Sequence, residues 1–187
     1  MNDDGVLLET PRLLLRGWNP ERDVEEAFAI YSDPMVVRYL GRDPKPMASL
    51  EAQRTALESI ASGVRERGDG TGGFAAVLKE TGAVVGMALF KRLPDGVSQP
   101  TDDFEVGWHL GQPWWGKGLA TEIGFGMLEH GFRSHPELEK IFAIAYPENG
   151  ASIRVMQKIG MREIGLTSKY YGMEVMAYEI ESGLSKR

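Results

Sequence analysis

A strand that runs into a glycine-rich bend and out again as a helix constrains this chain more than any other stretch. Phe104, Val106, Trp108 and Leu110 alternate with Asp103, Glu105, Gly107 and His109, the two-residue period of a strand with one apolar face. Gly111, Pro113, Gly116 and Gly118 then break it, and a helix-like run from Leu119 to about Arg133 follows. In that order the bend leaves backbone N–H groups unpaired and converging, with the positive end of a helix dipole behind them. Such a nest binds phosphate.

Two kinds of phosphate site fit the bend. Gly111 to Lys117 has the G-x-x-x-x-G-K spacing of a nucleotide P-loop, but Gly118 stands where that loop carries the Ser or Thr that holds magnesium. Without that hydroxyl, triphosphate chemistry loses its metal. The other arrangement uses Gly116, Lys117, Gly118, Leu119 and Ala120 to cradle a diphosphate by main-chain amides alone.

Composition narrows the setting. The 187 residues suit one domain, 1–187, with a sizeable core. No apolar run approaches the length that spans a bilayer, and MNDDGVLLETPR places acid before any apolar run, unlike a secretory leader. A cytoplasmic protein with no membrane partner is the expectation. With no cysteine there are no disulfides, thiolate metal sites or thiol nucleophiles, so acyl chemistry would pass directly from donor to acceptor or through another nucleophile. No metal is expected. The net charge of -6 disfavours nucleic acid as a ligand and mildly suits a cationic amine. Monomer and homodimer remain equally open.

In chain order, Arg12 to Gly17 reads as a short apolar strand, and Asn19-Pro20 caps a helix that runs to about Ser32 and stops at Asp33-Pro34. A short apolar segment follows through Val36, Val37, Tyr39 and Leu40, and an amphipathic helix covers Leu50 to about Glu66. Arg67 to Gly73 reads as loop, and Phe74–Leu78 with Val84–Phe90 as an antiparallel hairpin around Glu80-Thr81-Gly82. Residues 94–102 read as a polar loop. On the long helix, Glu122, Glu129 and Arg133 form a narrow polar stripe while Leu119, Ile123, Phe125, Met127, Leu128 and Phe132 cover most of the circumference. His130 and His135 are expected at the surface. Ile141 to Ala145 is a buried strand reached by a right-handed crossover, hence parallel to the first. Met161–Leu166 and Glu174–Ile180 close the chain as a hairpin. The expected fold is α/β of the α+β kind: a mixed, mostly antiparallel sheet flanked by helices, with one parallel βαβ crossover.

A second chemical stretch starts where the buried strand ends. Asn149 is a good N-cap for a helix Ala151 to Ile159, whose inward arc carries Ala151, Val155, Met156, Ile159 and also Ser152. Ser152 either assists that cap or presents a hydroxyl for chemistry.

These stretches together resemble the GNAT N-acetyltransferase superfamily, in particular its ribosomal-protein (RimJ/RimL-type) branch. The likeness is carried by LETPRLLLRGWNPERD with YSDPMVVRYLG, by the Trp-Gly-Lys-Gly turn, and by N-x-x-S-x-x-x-x-x-K-x-G at Asn149, Ser152, Lys158 and Gly160. Pro113 stands where the usual acetyl-CoA signature begins with Gln or Arg. The resemblance implies the GNAT fold, acetyl-CoA as co-substrate, and acetyl transfer to a primary amine, foremost the α-amine of a protein or peptide N-terminus. Alternatives are a small-molecule amine (polyamine, amino acid or antibiotic) or a domain that binds acyl-CoA without catalysis.

Such a transfer needs an unprotonated nitrogen, support for an oxyanion and a proton for the departing thiolate. An α-amine near pKa 8 is far easier to free than a lysine amine near about 10.4. Glu105, acting through a water, is the base candidate, with His109 as its rival. The resemblance implies backbone N–H groups near Leu110 and Gly111 as oxyanion donors, Ser152 as the proton source and Asn149 as a holder of the pantetheine arm. Diphosphate contacts are expected from the amides of Trp115, Gly116, Lys117, Gly118, Leu119 and Ala120. The acceptor pocket is expected at Arg38, Tyr39, Tyr170 and Tyr171.

Overall fold

The described residues build one eight-stranded sheet in the order β1-β2-β3-β4-β5-β6-β8-β7. The strands are β1 (Val6–Glu9), β2 (Leu13–Arg16), β3 (Gly72–Leu78), β4 (Val84–Pro94), β5 (Pro100–Leu110), β6 (Lys140–Ala145), β7 (Arg162–Thr167) and β8 (Val175–Glu181). The helices are α1 (Pro20–Tyr31), α2 (Pro34–Val37), α3 (Leu50–Arg67), α4 (Leu119–Ser134) and α5 (Gly150–Lys158). This computed structural model describes residues 5–183; residues 1–4 and 184–187 of the expected 1–187 domain lie outside them. Among the described residues no helix is long and apolar enough to cross a membrane.

Among the described residues every neighbouring pair of strands is antiparallel except β5 and β6, which run parallel with Glu105 opposite Phe142. That single parallel pair is the consequence of α4, which carries the chain back along the sheet. β8 inserts between β6 and β7, so the closing hairpin enters the sheet by its second strand.

Each sheet face buries its own cluster. Ile123, Met127 and Leu128 of α4 and Met156 of α5 pack with Phe90, Val106, Ile141 and Ala143. On the opposite face Val24, Ala27 and Ile30 of α1 and Leu57 and Ala61 of α3 cover Ala75, Val77 and Met87. Asn19 caps α1 by accepting from the Arg22 amide, and Asp23 in its first turn takes a two-pronged ion pair from Arg16 of β2 at 2.6 and 2.9 Å. Asp23 and Arg16 are both buried. Burial would raise the Asp23 pKa, but the hydrogen bonds of Arg16, the Asn19 amide and Arg22 outweigh it and hold the carboxyl below the usual range.

The structure corrects several expectations. β1 is a strand that the sequence reading did not separate from the opening. β3 begins at Gly72, inside the stretch expected as loop, because Gly72 lies at φ +137° where a Cβ would collide with Val64 of α3. β4 and β5 extend to Pro94 and from Pro100, leaving only residues 95–99 of the expected 94–102 loop. Phe125 is exposed rather than part of the buried face of α4. His130 is buried, not superficial: its Nε2 lies 2.9 Å from the Gly70 carbonyl and its ring stands edge-on to Phe90.

Candidate active site

Between β5 and β6 the sheet opens. Past the Glu105–Phe142 register no further paired position links the two strands among the described residues, and the gap is walled by α5, α2 and the bend after β5. Two cavities meet there. One, about 310 Å³, runs along the bend and α5 past Trp114, Gly116, Gly118, Ala120, Asn149 and Lys158. The other, about 340 Å³, is bounded by Glu105, Lys91, Tyr146, Tyr171 and Met173. Tyr39, Leu40, Trp108, His109, Asn149 and Ser152 line both.

The bend has the form its glycines impose. A single 3₁₀ turn, Gln112–Trp114, leads to Gly116 at φ +72° and Gly118 at φ +78°, left-handed conformations that a side chain opposes. Gly118 is the residue before α4, and the first helical bond is from the Glu122 amide to its carbonyl, 3.1 Å. Among the described residues, the amides of 116–121 therefore have no partner inside the protein. A diphosphate fits such a set of donors without a metal. The Trp115 amide does not belong to it, contrary to expectation: it bonds the Gln112 carbonyl at 3.1 Å, while the indole N–H of Trp115 donates to the Leu110 carbonyl at 2.6 Å. Lys117 holds its ammonium 4.8 Å over the Trp114 ring.

Residues that sequence reasoning overlooked brace this bend. The Arg12 guanidinium donates to Glu122 at 2.6 Å and to the Lys117 carbonyl at 2.8 Å, and the Arg12 amide and Thr10 hydroxyl also bond Glu122. A lone Arg at a strand start and a lone Glu on a helix carry no mark that they will meet.

At the open strand the two expected oxyanion donors part ways. The Gly111 amide is taken by the Val85 carbonyl of β4 at 3.0 Å, which removes it. Alternation along β5 then turns the Leu110 N–H the other way, toward the gap.

Glu105 is 6% exposed. Its carboxylate accepts from the Tyr171 hydroxyl and lies 3.7 Å from the ammonium of Lys91, its direct cross-strand partner. Burial raises its pKa; the charge of Lys91 and the hydrogen bond from Tyr171 pull the other way without cancelling the rise. His109 is driven in the opposite direction, to about 4, by burial and by Lys91, and its Nδ1 lies 3.4 Å from the Tyr31 hydroxyl. It is therefore a neutral imidazole near pH 7 and the weaker base of the two.

Asn149 caps α5 itself, its side-chain oxygen accepting from the Ser152 amide at 3.2 Å. Ser152 gives the cap its amide and stands in the wall common to both cavities. Tyr39 donates to the Glu148 carbonyl and Tyr146 to that of Gly41, a clasp that ties the segment after α2 to the segment before α5 across the gap.

Of the residues expected around an acceptor, Tyr39 and Tyr171 border the Glu105 cavity; Arg38 lines the cleft along the bend instead, with its guanidinium 4.5 Å over Tyr39. Tyr170 lies outside both. It is buried against Phe142 with its hydroxyl on Asp103 at 2.7 Å. Burial and that carboxylate push its pKa up to about 12. The two neighbours differ because Tyr171 adopts φ +55°, an uncommon conformation for a side-chain-bearing residue, which throws successive rings to different places. The strap that holds this conformation, residues 168–174, is pinned to the β4–β5 hairpin by the Tyr171 amide on the Pro94 carbonyl and by Lys169 on Asp103 at 2.5 Å. Lys91 and Asp103 were missed as site residues; Lys91 fell just past the expected strand end at Phe90.

Residues 12–162 match the family model described as an acetyltransferase (GNAT) domain. The uncharacterised N-acetyltransferase p20 of Bacillus licheniformis is 30% identical over 87% of this chain and 86% of its own. A GNAT-family acetyltransferase from Bacillus anthracis superposes with a TM-score of 0.74 at 24% identity, covering 96% of this chain and 99% of the other. The ribosomal-protein-S5-alanine acetyltransferase of Vibrio fischeri superposes at 0.68 with 16% identity over 96% and 98%. The family match favours an acetyl-CoA-using acetyltransferase over a P-loop nucleotide enzyme.

Proposed function

The chain belongs to the GNAT acetyltransferase family, and from that premise we propose that it acetylates the α-amine of a protein or peptide N-terminus, in the manner of the RimJ/RimL-type branch. The observation that carries this reading is Glu105: a buried carboxylate with raised proton affinity, in a cavity that shares Ser152, Asn149 and His109 with the amide-lined cleft. A carboxylate base suits an α-amine, whose pKa of about 8 leaves an appreciable neutral fraction, better than a lysine side chain.

Acetyl-CoA, when bound, supplies an activated thioester carbonyl and departs as a thiol. The amides of 116–121 and the charge of Lys117 hold its diphosphate. The Leu110 N–H supports the carbonyl oxygen. Glu105 takes the proton of the acceptor amine through a water, kept in place by Tyr171 and Lys91. The Ser152 hydroxyl gives a proton to the departing thiolate and regains one from solvent as Glu105 releases the amine proton to solvent, and Asn149 fixes the first turn of α5 so that Ser152 faces the junction. Tyr39 and Tyr171 flank the acceptor, and Arg38 stands on the thioester side.

Thiol release from acetyl-CoA across short peptides, polyamines and aminocyclitol antibiotics tests the assignment. Short-peptide α-amines are expected to be the best class; a polyamine or drug outrunning every peptide overturns the N-terminal reading. Binding of CoA without thiol release from any amine would turn the reading to a non-catalytic acyl-CoA domain.

A further inference from the structure

The Glu105 cavity carries its own statement about which amines it admits. Among the described residues that line it, Lys91 carries the one amino group and Glu105 the one carboxyl group. They are directly opposite each other on β4 and β5, so both project from one face of the sheet. The Lys91 ammonium lies 3.7 Å from Glu105 and 5.2 Å from the centre of the Tyr171 ring, and its side chain is 40% exposed. Arg42, the residue after the lining residue Gly41, holds its guanidinium close to Gly172 of the strap. Lys91 thus opposes the one carboxylate that lines the position where an ammonium would have to arrive.

We propose that Lys91 makes this cavity select acceptors with one amine and a carboxylate close to it, an α-amino acid or a peptide N-terminus followed by an acidic residue, and reject polycations. The inference rests on the amine-acetylation reading above and names the acceptor within it. A polyamine entering the cavity meets a single carboxylate already opposed by Lys91, and its second ammonium has no acid left among the lining residues. Like charges at such distances in a partly desolvated space repel strongly. An acceptor carboxylate reverses the balance. When Glu105 takes up a proton from the amine, Lys91 loses its partner, and the carboxylate of the acceptor replaces it. The fixed positive charge beside the amine also favours its neutral, attacking form over the ammonium.

The test compares the wild type with Lys91→Gln and Lys91→Glu, following thiol release from acetyl-CoA with Ala-Asp-Ala amide, Ala-Lys-Ala amide, free aspartate and spermidine. The wild type is expected to favour the Asp peptide over the Lys peptide by about tenfold in kcat/KM and over spermidine by more; Lys91→Gln flattens the ranking to within about threefold and Lys91→Glu inverts it. Equal rates on the two peptides in the wild type, or a preference that survives Lys91→Gln, overturns the proposal. If aspartate outruns spermidine in a Lys91-dependent way while no peptide reacts, the role of Lys91 stands and the N-terminal reading falls. Turnover of spermidine alone sinks both. Should the variants lose turnover, binding of the N-acetylated Asp and Lys peptides to CoA-loaded protein, read by tryptophan fluorescence, must show the same Lys91-dependent ranking; equal affinities overturn it.

Discussion

The amide-lined cleft and the Glu105 cavity share Trp108, His109, Asn149 and Ser152, yet they are made of different material. The floor of the cleft is main chain from one short contiguous stretch, shaped by two left-handed glycines and the start of α4. The cavity is side chain gathered from β4, β5, β6, the segment after α2 and the strap. Main-chain donors survive replacement of almost any side chain that leaves the backbone path intact. A constellation of side chains depends on strand register, on the extent of β4 and β5, and on an unusual conformation at Tyr171. Binding of a diphosphate and choice of an amine are therefore expected to fail separately.

The largest expected separation is Glu105→Gln, which should cut turnover by about 10²- to 10⁴-fold, the usual worth of a general base, while calorimetry shows acetyl-CoA affinity unchanged. If both fall together, the two regions are not independent. The same variant should be more stable. Burial raises the Glu105 pKa, so the folded state is favoured below the ordinary value of 4.5 and loses that contribution as pH rises through the raised one. Neutral Gln is expected to raise Tm at pH 8 and flatten this dependence, the stability cost of burying an ionisable carboxyl being removed.

Next comes the opposite failure. Gly118→Val places a β-branched residue at φ +78°, a strain of roughly 1–2 kcal/mol, and should weaken acetyl-CoA about tenfold while leaving the ranking of acceptors as it was. A changed ranking would show that the bend also shapes the cavity.

Asp103→Asn should act on the cavity alone, raising the acceptor KM by about fivefold as the strap loses a charge-assisted contact at a half-buried site. Burial would raise the Asp103 pKa, but the hydrogen bonds from Lys169 and Tyr170 and the charge of Lys169 hold it below 3.8. Its contribution to stability is present above 3.8 and lost as pH falls through the lower value, so the variant should lose part of the wild type's acid-induced drop in Tm.

The smallest effect belongs to His109. Burial and Lys91 bring its pKa from 6.5 to about 4, so its neutral form stabilises the fold above pH 6.5 and that stability is lost as pH falls toward about 4. In His109→Gln the Tm difference between pH 7 and pH 5 should narrow by a few degrees.

Much of the scaffold was legible beforehand because its signals are local. Asn19-Pro20 and Asn149 cap the helices expected of them, and the β5, α4, β6 order gives the one parallel pair. What escaped was set by distant partners. His130 falls near the polar stripe of α4 and reads as exposed, yet the loop before β3 folds back and offers it the Gly70 carbonyl. Tyr170 and Tyr171 are indistinguishable in sequence; one is a strut on Asp103 and the other a donor to Glu105. Arg12 and Glu122, far apart in the chain, clamp the bend together.

The residues from Leu110 to Ala120 by themselves determined a bend of unpaired amides, because glycine at positive φ and an uncapped helix start are properties of consecutive backbone units. Only the tertiary structure decided that the Glu105 carboxyl would hold its proton more tightly than an ordinary one while facing an ammonium and a phenol. Proton affinity follows burial and distance through space, and neither burial nor distance is written in the order of residues along the chain.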